Sequence, residues 1–454
     1  MNRVGTVVVV GGGLAGITAA LRLADRGSDV TLLESRPRLG GATYSFSRGG
    51  LSVDTGQHVF LRCYLRYREL LDRLGVGHLV TIQPRLDIPV LVPRRSDIGL
   101  RRSMFGPAPL HLLPALAGYR ALSPSERFRA ALCAAALRNV DPDNPANDAT
   151  TFGEWLHRHG QGPRAVSRLW GLLTVAALNI DPSEASLALA ARVFRTGLLD
   201  HAGAGDMGIA DVPLALLHDG PARTAFAQSG VRLHTGERVR AVAGSAAGHG
   251  LVVRTDSGEL AADAVVMAVP HAAAARLVPT DAKTEPGCWD QLGDSPIVNV
   301  HVLFDRRVMD LPYAAVLDPA TGWIFDRTAA AGVNSGQYLV SSLSAADAQI
   351  ALPGADISRS HLAALNRVLP KARSAKVIDV FVTREPRATF RQRAGSARFR
   401  PQPGTKWPAL VLAGAWTATG WPDTMEGAVR SGLSAADALS QSGPVRSALR
   451  EVIV

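Results

Sequence analysis

The sequence VVVVGGGLAGITAALRLADRGSDVTLLESRPRLGG, residues 7–41, decides the fold. A strand of valines runs into Gly11, Gly13 and Gly16, and a helix and a second strand follow. In this pattern the first glycine permits a tight turn, the second lets the backbone approach a pyrophosphate, and the third lets the helix lie close to the sheet. The helix N-terminus presents N–H groups and a positive dipole end to phosphate. The stretch therefore predicts a dinucleotide-binding βαβ unit.

An acidic residue, Glu34, ends the second strand. A carboxylate there can accept hydrogen bonds from a ribose 2′-hydroxyl, which favours FAD or NAD over a 2′-phosphorylated cofactor. The turn that follows carries Arg36 and Arg38 and ends on Gly40 and Gly41. The two arginines are placed to pair with a pyrophosphate or to brace the loop. At this point FAD and NAD both remain open.

Composition describes a globular chain that can bury a large interior. Of its 454 residues, 47% are hydrophobic and 19% charged, so two or three domains are expected. The net charge is +10, and only four of the 49 basic residues are lysines. This balance fits either a solvated basic surface or one that contacts anionic lipid headgroups. Because zinc-finger and RNA-binding patterns are missing, nucleic acid is not an expected partner.

The cysteines and the apolar runs bear on location. Three scattered cysteines form no CxxC pair, which favours a reducing cytoplasm and no metal site. The first apolar run is broken by glycines and is too short for a signal peptide. Because no run of about twenty apolar residues occurs, a spanning helix is not expected. We expect a cytoplasmic protein, either free or peripheral on the inner face of the cell membrane.

Three segments resemble motifs of FAD-dependent amine oxidases and of carotenoid or phytoene desaturases. Residues 34–41 resemble the E-x-R-x-R-x-G-G pattern, with alanine where these families usually continue with arginine. Residues 412–432 resemble their closing flavin motif, with alanine where many relatives have aspartate. Residues 236–242 resemble the β-segment that brings backbone near the adenine at Val239. The resemblance implies FAD.

A fourth segment points to one branch of these families. Residues 54–61, DTGQHVFL, resemble a D-x-G-x-H segment that passes near the flavin in phytoene-desaturase-like enzymes. Their form is similar to the hydroxysqualene dehydroxylases of bacterial squalene and hopanoid synthesis. The resemblance implies a long-chain isoprenoid substrate. No cysteine follows Cys288, so the FAD is expected to be non-covalent, and the lack of a second fingerprint implies an external reductant.

The fingerprint and the resemblance together imply one cofactor site from the two ends of the chain. Its predicted residues are Gly11, Gly13, Leu14, Ala15, Gly16, Glu34, Ser35, Arg36, Arg38, Gly40, Gly41, Ala42, Gly56, Gln57, His58, Val239, Gly414, Ala415, Trp416, Met425, Glu426, Gly427 and Ala428.

The predicted fold class is α/β. It combines a Rossmann-type FAD-binding domain, like those of amine oxidases and glutathione reductases, with a discontinuous α+β substrate domain. The order of the patterns assigns residues 1–80, 226–290 and 405–454 to the FAD-binding domain. Residues 81–225, largely helical, and 291–404, a mixed sheet, form the substrate-binding domain.

The leading hypothesis for the reaction is the reductive dehydroxylation of hydroxysqualene to squalene. Because the sequence has no nucleophile elbow, the redox chemistry falls to the flavin. Breaking an allylic C–O bond requires an acid, for which His58 is the first candidate and Asp423 and Glu426 are the next. His58 fits a structural role in its loop equally well. Trp416 and Trp421 fit either contact with a cationic intermediate or core packing.

Two alternatives remain open from the sequence. One is a carotenoid or phytoene desaturase, which runs the same scaffold as an oxidant. The other is a flavin-binding lipid carrier without turnover. The apolar segments Met104–Leu122 and Trp170–Leu178 fit a substrate tunnel, a surface that enters lipid, or an ordinary helical core.

Overall fold

The computed structural model describes residues 5–93, 98–245, 250–285 and 287–441. Its strands are β1 (Thr6–Val10), β2 (Asp29–Glu34), β3 (Ser45–Arg48), β4 (Leu51–Asp54), β5 (Phe60–Leu61), β6 (Val80–Ile82), β7 (Asp87–Leu91), β8 (Gly99–Arg101), β9 (Met207–Ala210), β10 (Arg232–Thr235), β11 (Val239–Gly244), β12 (Leu251–Thr255), β13 (Glu259–Ala262), β14 (Ala264–Met267), β15 (Asp294–Phe304), β16 (Tyr313–Val316), β17 (Trp323–Asp326), β18 (Gln337–Leu343), β19 (Val377–Phe390) and β20 (Leu410–Leu412). Its α-helices are α1 (Leu14–Asp25), α2 (Leu65–Arg73), α3 (Leu113–Gly118), α4 (Pro124–Leu137), α5 (Pro145–Ala149), α6 (Phe152–Arg158), α7 (Pro163–Ala165), α8 (Gly171–Leu178), α9 (Leu187–Phe194), α10 (Leu214–Ser229), α11 (His271–Leu277), α12 (Gly354–Val368) and α13 (Met425–Gln441).

A five-stranded parallel sheet, in the order β10-β2-β1-β14-β20, lies at the centre of the first unit. The valines of β1 have neighbours on both sides, with Val9 opposite Leu32 and Val266. They are buried because both faces of the sheet are covered, which is why the strand is a continuous apolar run. The fingerprint glycines follow directly at the carboxyl end of this strand.

Helices cover one face of the parallel sheet, and a small antiparallel sheet packs on the other. Side chains of α1, α10 and α13 join those of the strands in one apolar cluster. A Cβ added at Gly432 of α13 would lie 2.3 Å from the carbonyl oxygen of Ala15, so these two helices meet backbone to backbone. The sheet β11-β12-β13 covers the opposite face. The first and last helices of the described chain are thereby held side by side.

A second sheet of seven strands, in the order β19-β15-β18-β17-β16-β7-β8, forms the core of the other unit. Its pairs are antiparallel except β7 with β16. Helix α12 packs on it through the apolar cluster that it shares with β15 and β18. A helical lobe, α3 to α9, packs against β7, β16 and β17. Helix α4 is capped at its start by Ser123 and Glu126, which form a capping box.

The fold class predicted from the sequence is confirmed, with a parallel nucleotide-type sheet and a separate β-rich unit. The domain boundaries stay a prediction. The buried side chains of α10 belong to the cluster around the parallel sheet, although the order of the sequence patterns assigns residues up to 225 to the substrate domain. We propose to move that boundary so that α10 falls in the FAD-binding unit.

Candidate active site

The fingerprint turn is built so that only glycine fits. Gly11 has φ +106°, a conformation that L-residues with a side chain rarely adopt. A Cβ at Gly16 would lie 1.9 Å from the carbonyl oxygen of Gly11. Helix α1 begins immediately after Gly13, and because glycine has no side chain, no side-chain group caps the start of this helix. Its first N–H groups therefore remain available for a phosphate.

The second glycine pair closes on the first. Gly40 donates its N–H to the carbonyl oxygen of Gly12 at 2.9 Å and forms a parallel bridge with Gly13. Gly41 has φ +60°, and a Cβ there would lie 2.9 Å from the Cα of Gly13. The two loops thus form a cradle of backbone groups that any larger side chain would fill. This is the shape that a pyrophosphate needs.

We expect Gly41→Ala to lower the affinity for FAD by about tenfold, because the new Cβ fills the cradle and strains a positive φ. The measurement is flavin retained after gel filtration and titration of the apoprotein with FAD. Gly49→Ala is the matched control, because Gly49 has φ +55° but nothing within 4 Å of its added Cβ. Equal affinities of the two variants would show that the approach of Gly41 to Gly13 is irrelevant to the cofactor.

Glu34 links the fingerprint turn to the loop that follows it. Its buried carboxylate accepts the N–H of Gly12 at 2.7 Å and that of Arg36 at 2.7 Å. Each oxygen keeps lone-pair capacity for a ribose hydroxyl. The chain also places β10 and the start of β11 here, since Glu237 donates its N–H to the carbonyl oxygen of Glu34 at 2.9 Å. Val239 is two residues further along.

The two predicted arginines have different settings. The Arg38 guanidinium lies 3.1 Å from the centre of the Tyr44 ring and donates to the carbonyl oxygen of Gly41 at 3.2 Å. Burial lowers the pKa of Arg38 from its usual value. Arg38 therefore braces the glycine cradle. Arg36, with its neighbour Ser35, is exposed beside the same loop.

The closing motif forms a second set of backbone donors. Gly414 has φ +139° and donates its N–H to Ser431 Oγ at 2.8 Å, which ties β20 to α13. Thr424 Oγ1 caps α13 by accepting the N–H of Gly427 at 3.1 Å. The first-turn N–H groups of Met425 and Glu426 have no acceptor within the helix. They and the positive helix end can stabilise negative charge on a reduced flavin.

A buried arginine that the sequence patterns did not reveal holds this motif. The Arg400 guanidinium donates to the carbonyl oxygens of Ala415, Thr417 and Trp421, at 2.9, 2.7 and 2.7 Å. Burial lowers the pKa of Arg400 to about 10, so it stays charged at neutral pH. It lies outside every motif, and no sequence signal marked it.

The two tryptophans of the motif lie in packed surroundings. Trp416 is buried, donates Nε1–H to the carbonyl oxygen of Val269 at 2.9 Å, and has its ring centre 5.4 Å from that of Trp289. Core packing therefore accounts for Trp416. Trp421 is half-buried, edge-on to Tyr64 at 5.8 Å and beneath the guanidinium of Arg430 at 4.6 Å.

Glu426 is fully buried, and its carboxylate is occupied. It accepts the N–H of Tyr67 at 2.8 Å and that of Arg66 at 3.3 Å, and Arg430 Nε lies 2.7 Å away. It thus caps α2 from a position about 360 residues later in the chain. A carboxylate shared among three donors is poorly suited to carry a proton. The contacts of Glu426 fit a helix cap and not the acid that the sequence suggests.

Asp423 has the setting of an acid. Its Oδ2 accepts the N–H of Phe390 at 2.9 Å, while its Oδ1 accepts no hydrogen bond from any described residue. Burial raises the pKa of Asp423 to about 6, although the Phe390 N–H and the charge of Arg400 oppose the rise. The side chain of Gln392 fixes the backbone of Asp423 through a hydrogen bond of 2.9 Å. This carboxyl can hold a proton near neutral pH.

His58 has a different character. Burial lowers the pKa of His58, so the ring is neutral at pH 7. Its Nδ1 lies 3.1 Å from the carbonyl oxygen of Gly56, which can only accept, so Nδ1 carries the hydrogen and Nε2 is an acceptor. The ring faces a small cavity that it shares with Gln57 and the buried ion pair of Asp54 and Arg327. His58 is therefore suited to orient a hydroxyl rather than to protonate it.

The two candidate acids, His58 and Asp423, lie near different parts of strand β15. Asn299 of β15 donates to the carbonyl oxygen of Thr55, next to the loop of His58, at 2.9 Å. Asp294, at the start of β15, lies opposite Phe390 of β19, and the Phe390 N–H donates to Asp423. Five residues of strand span about 17 Å. The structure therefore places the His58 loop beside the middle of β15 and Asp423 beside its start.

This geometry defines a class: a two-domain flavoprotein with backbone cradles for a pyrophosphate and a flavin, which the residues present fit. The chain belongs to the flavin containing amine oxidoreductase family, whose model matches residues 14–440. It is an FAD-dependent oxidoreductase.

The similar proteins agree with this assignment. A hydroxysqualene dehydroxylase of Rhodopseudomonas palustris is 30% identical over 96% of this chain and 99% of its own. A zeta-carotene desaturase of Zea mays is 25% identical over 99% of this chain and 85% of its own. The fold matches an oxidoreductase from Methanosarcina mazei with a TM-score of 0.71 at 17% identity, covering 95% of this chain and 100% of that one.

Proposed function

We propose that this protein reduces hydroxysqualene to squalene with loss of the hydroxyl group as water. The observation that carries the proposal is the 30% identity to the Rhodopseudomonas palustris hydroxysqualene dehydroxylase across nearly the full length of both chains. The acidic carboxyl of Asp423 supports it, because this reaction needs a proton for its leaving group.

The chemistry divides between cofactor and protein. Reduced FAD, held by the glycine cradle of residues 11–16 and 40–41 and by the start of α13, would supply the hydride that the allylic carbon needs. Asp423, protonated below about pH 6, gives its proton to the hydroxyl oxygen as the C–O bond breaks, and water leaves. The hydride becomes the new C–H bond, and the proton leaves with the hydroxyl as water, so the step balances. Arg400 keeps the turn before Asp423 in place through its three carbonyl contacts.

The other half of the site provides orientation. Gln57 and the neutral His58 line a cavity beside Asn299, about 17 Å along β15 from the position of Asp423, so they orient a part of the long isoprenoid other than its departing hydroxyl. We also propose that the reductant is external and that the protein works at a membrane surface. None of the helices in the described ranges is long and apolar enough to cross a membrane.

A second candidate is a carotene desaturase, favoured by the identity to the Zea mays enzyme. Desaturation removes hydrogen from a hydrocarbon, which has no leaving hydroxyl to protonate. The raised pKa of Asp423 therefore favours dehydroxylation over desaturation.

A product assay separates these candidates. Flavin-loaded protein, chemically reduced without oxygen, should convert hydroxysqualene to squalene, while the oxidised protein should leave phytoene and zeta-carotene unchanged. Products are identified by mass spectrometry, and heat-denatured protein with free reduced FAD is the control. Desaturated carotenes with no squalene would overturn the proposal in favour of the second candidate.

A further inference from the structure

A segment of the helical lobe exposes large apolar side chains. Residues 103–118 contain no acidic residue, lysine or arginine, and their one histidine, His111, is buried. Within this segment Phe105 is 85% exposed and Leu110 is 55% exposed. Side chains of this size are seldom so exposed together unless they contact a partner. We use the term apolar rim for Met104, Phe105, Leu110 and Leu113.

The rim is a fixed structure. Ser103 Oγ accepts the N–H of Phe105 at 3.0 Å, and the Ser103 N–H donates to the carbonyl oxygen of His111 at 2.8 Å. On the inner side, Leu112 and Leu116 pack on the core of the lobe. The exposed residues therefore project outward because their neighbours already fill the core.

The surroundings of the rim are basic. Helix α4 packs against α3 and exposes Phe128, with Arg127 and Arg129 on either side. Arg129 is exposed, and the half-buried Arg127 donates to the carbonyl oxygen of Ala117 at the end of α3. Residues 98–140 hold six arginines and one acid, Glu126, whose carboxylate is used in the cap of α4; Arg101, Arg102 and Arg138 pair with acids from other segments. An apolar surface bordered by arginines matches an anionic bilayer.

We propose that the apolar rim and the exposed face of α4 dock on an anionic phospholipid bilayer, with the apolar side chains among the acyl chains and the arginines at the phosphates. A second copy of this chain fits less well, because a symmetric contact would bring two basic faces together. The inference rests on exposure and charge, and it does not depend on the proposed reaction.

The rim is also joined to the candidate active site. Arg102, which precedes it, is buried and donates to Asp206 at 2.7 and 2.9 Å. The same carboxylate accepts from Arg62 at 3.1 Å, four residues after His58. The Asp206 carboxylate therefore links the segment that carries the rim to the segment that carries His58.

The test is flotation of the flavin-loaded protein with mixed phosphatidylcholine–phosphatidylglycerol vesicles. We expect the wild type to float with these vesicles, less with pure phosphatidylcholine, and less at about 1 M than at about 0.1 M salt. Phe105→Ser/Leu110→Ser should weaken binding about tenfold or more. Leu352→Ser/Ile378→Ser is the matched control, since both side chains are exposed apolar residues elsewhere, and it should bind as the wild type does.

Several results would overturn the proposal: a wild type that stays with the soluble fraction, a rim variant that floats unchanged, or equal loss in both double variants. A wild-type dimer that the rim variant alone converts to monomer, without vesicle binding, would show instead that a second copy covers the rim. Flavin content and thermal midpoint verify that each variant is folded. Squalene formation is assayed separately, so that the docking proposal and the proposed reaction can each fail without affecting the test of the other.

Discussion

Asp423→Asn is expected to lower single-turnover formation of squalene by about a hundredfold or more, a typical loss when a general acid is removed. The amide keeps the acceptor for the Phe390 N–H but carries no acidic proton. FAD binding should stay as in the wild type. The rate is followed from the oxidation of reduced flavin under anaerobic conditions, with squalene quantified at the end point.

The pH dependence separates an acid from a structural residue. Because the pKa of Asp423 is about 6, the wild-type rate should fall as pH rises above that value, and the residual rate of the variant should not. Asp294→Asn is a useful control, because removing this negative charge should move the fall to lower pH. If His58→Gln abolished turnover while Asp423→Asn retained it with an unchanged profile, His58 would be the acid.

The same variant provides a second measurement, with opposite sign. A carboxyl with a pKa raised from 3.8 to about 6 contributes stability that is present below about pH 4 and lost as pH rises through 6. At pH 8 the folded protein holds an ionised, poorly solvated carboxylate, which costs up to about 3 kcal/mol. Asp423→Asn should therefore stabilise the protein at pH 8 and not at pH 4. A site residue that lowers stability is what a catalytic role entails.

The glycine positions of the cradle could be predicted from the sequence, because each of these turns requires glycine at one particular residue. At Gly16 and Gly41 an added Cβ would clash with backbone atoms, so these positions require glycine and can be recognised in the sequence. The two ends of the chain were joined by the resemblance of residues 412–432 to a flavin motif, and in the structure Gly432 meets the backbone of α1. Where two main chains approach closely, only the smallest residues fit, so a glycine pattern in the sequence predicts the approach.

The roles of the polar side chains were harder to predict from the sequence. A glutamate or aspartate looks the same there whether it caps a helix, forms an ion pair or donates a proton. The sequence makes Glu426 a candidate acid, whereas in the structure its carboxylate accepts the N–H groups of Arg66 and Tyr67 at the N-terminus of α2. Arg400 was missed because its partners are carbonyl oxygens, which any sequence can supply. The position of α10 on the parallel sheet was missed for a similar reason, since an apolar helix face does not say which sheet it covers.

The second large effect concerns Glu426, where we expect Glu426→Ala to reduce the free energy of unfolding by about 3 kcal/mol and to promote loss of FAD. The substitution leaves two N–H groups of α2 without an acceptor and leaves Arg430 unpaired. Because Arg430 is partly exposed, water can solvate it, which puts the cost at the lower end for buried pairs. Denaturation followed by flavin fluorescence measures the change. Glu69→Ala, which removes an exposed partner of Arg66 on the same helix, should cost less than about 0.5 kcal/mol.

Glu426→Gln distinguishes the cap from an acid, because glutamine keeps one acceptor oxygen and the size of the side chain. If Glu426 only holds α2 against α13, the flavin-loaded Gln variant should turn over within about threefold of the wild type and keep the wild-type fall above pH 6, because Asp423 still provides the proton. If Glu426 were the acid, the Gln variant would be folded, loaded and inactive at every pH. The two variants at positions 423 and 426 therefore assign the proton between neighbouring carboxyls that the sequence alone could not tell apart.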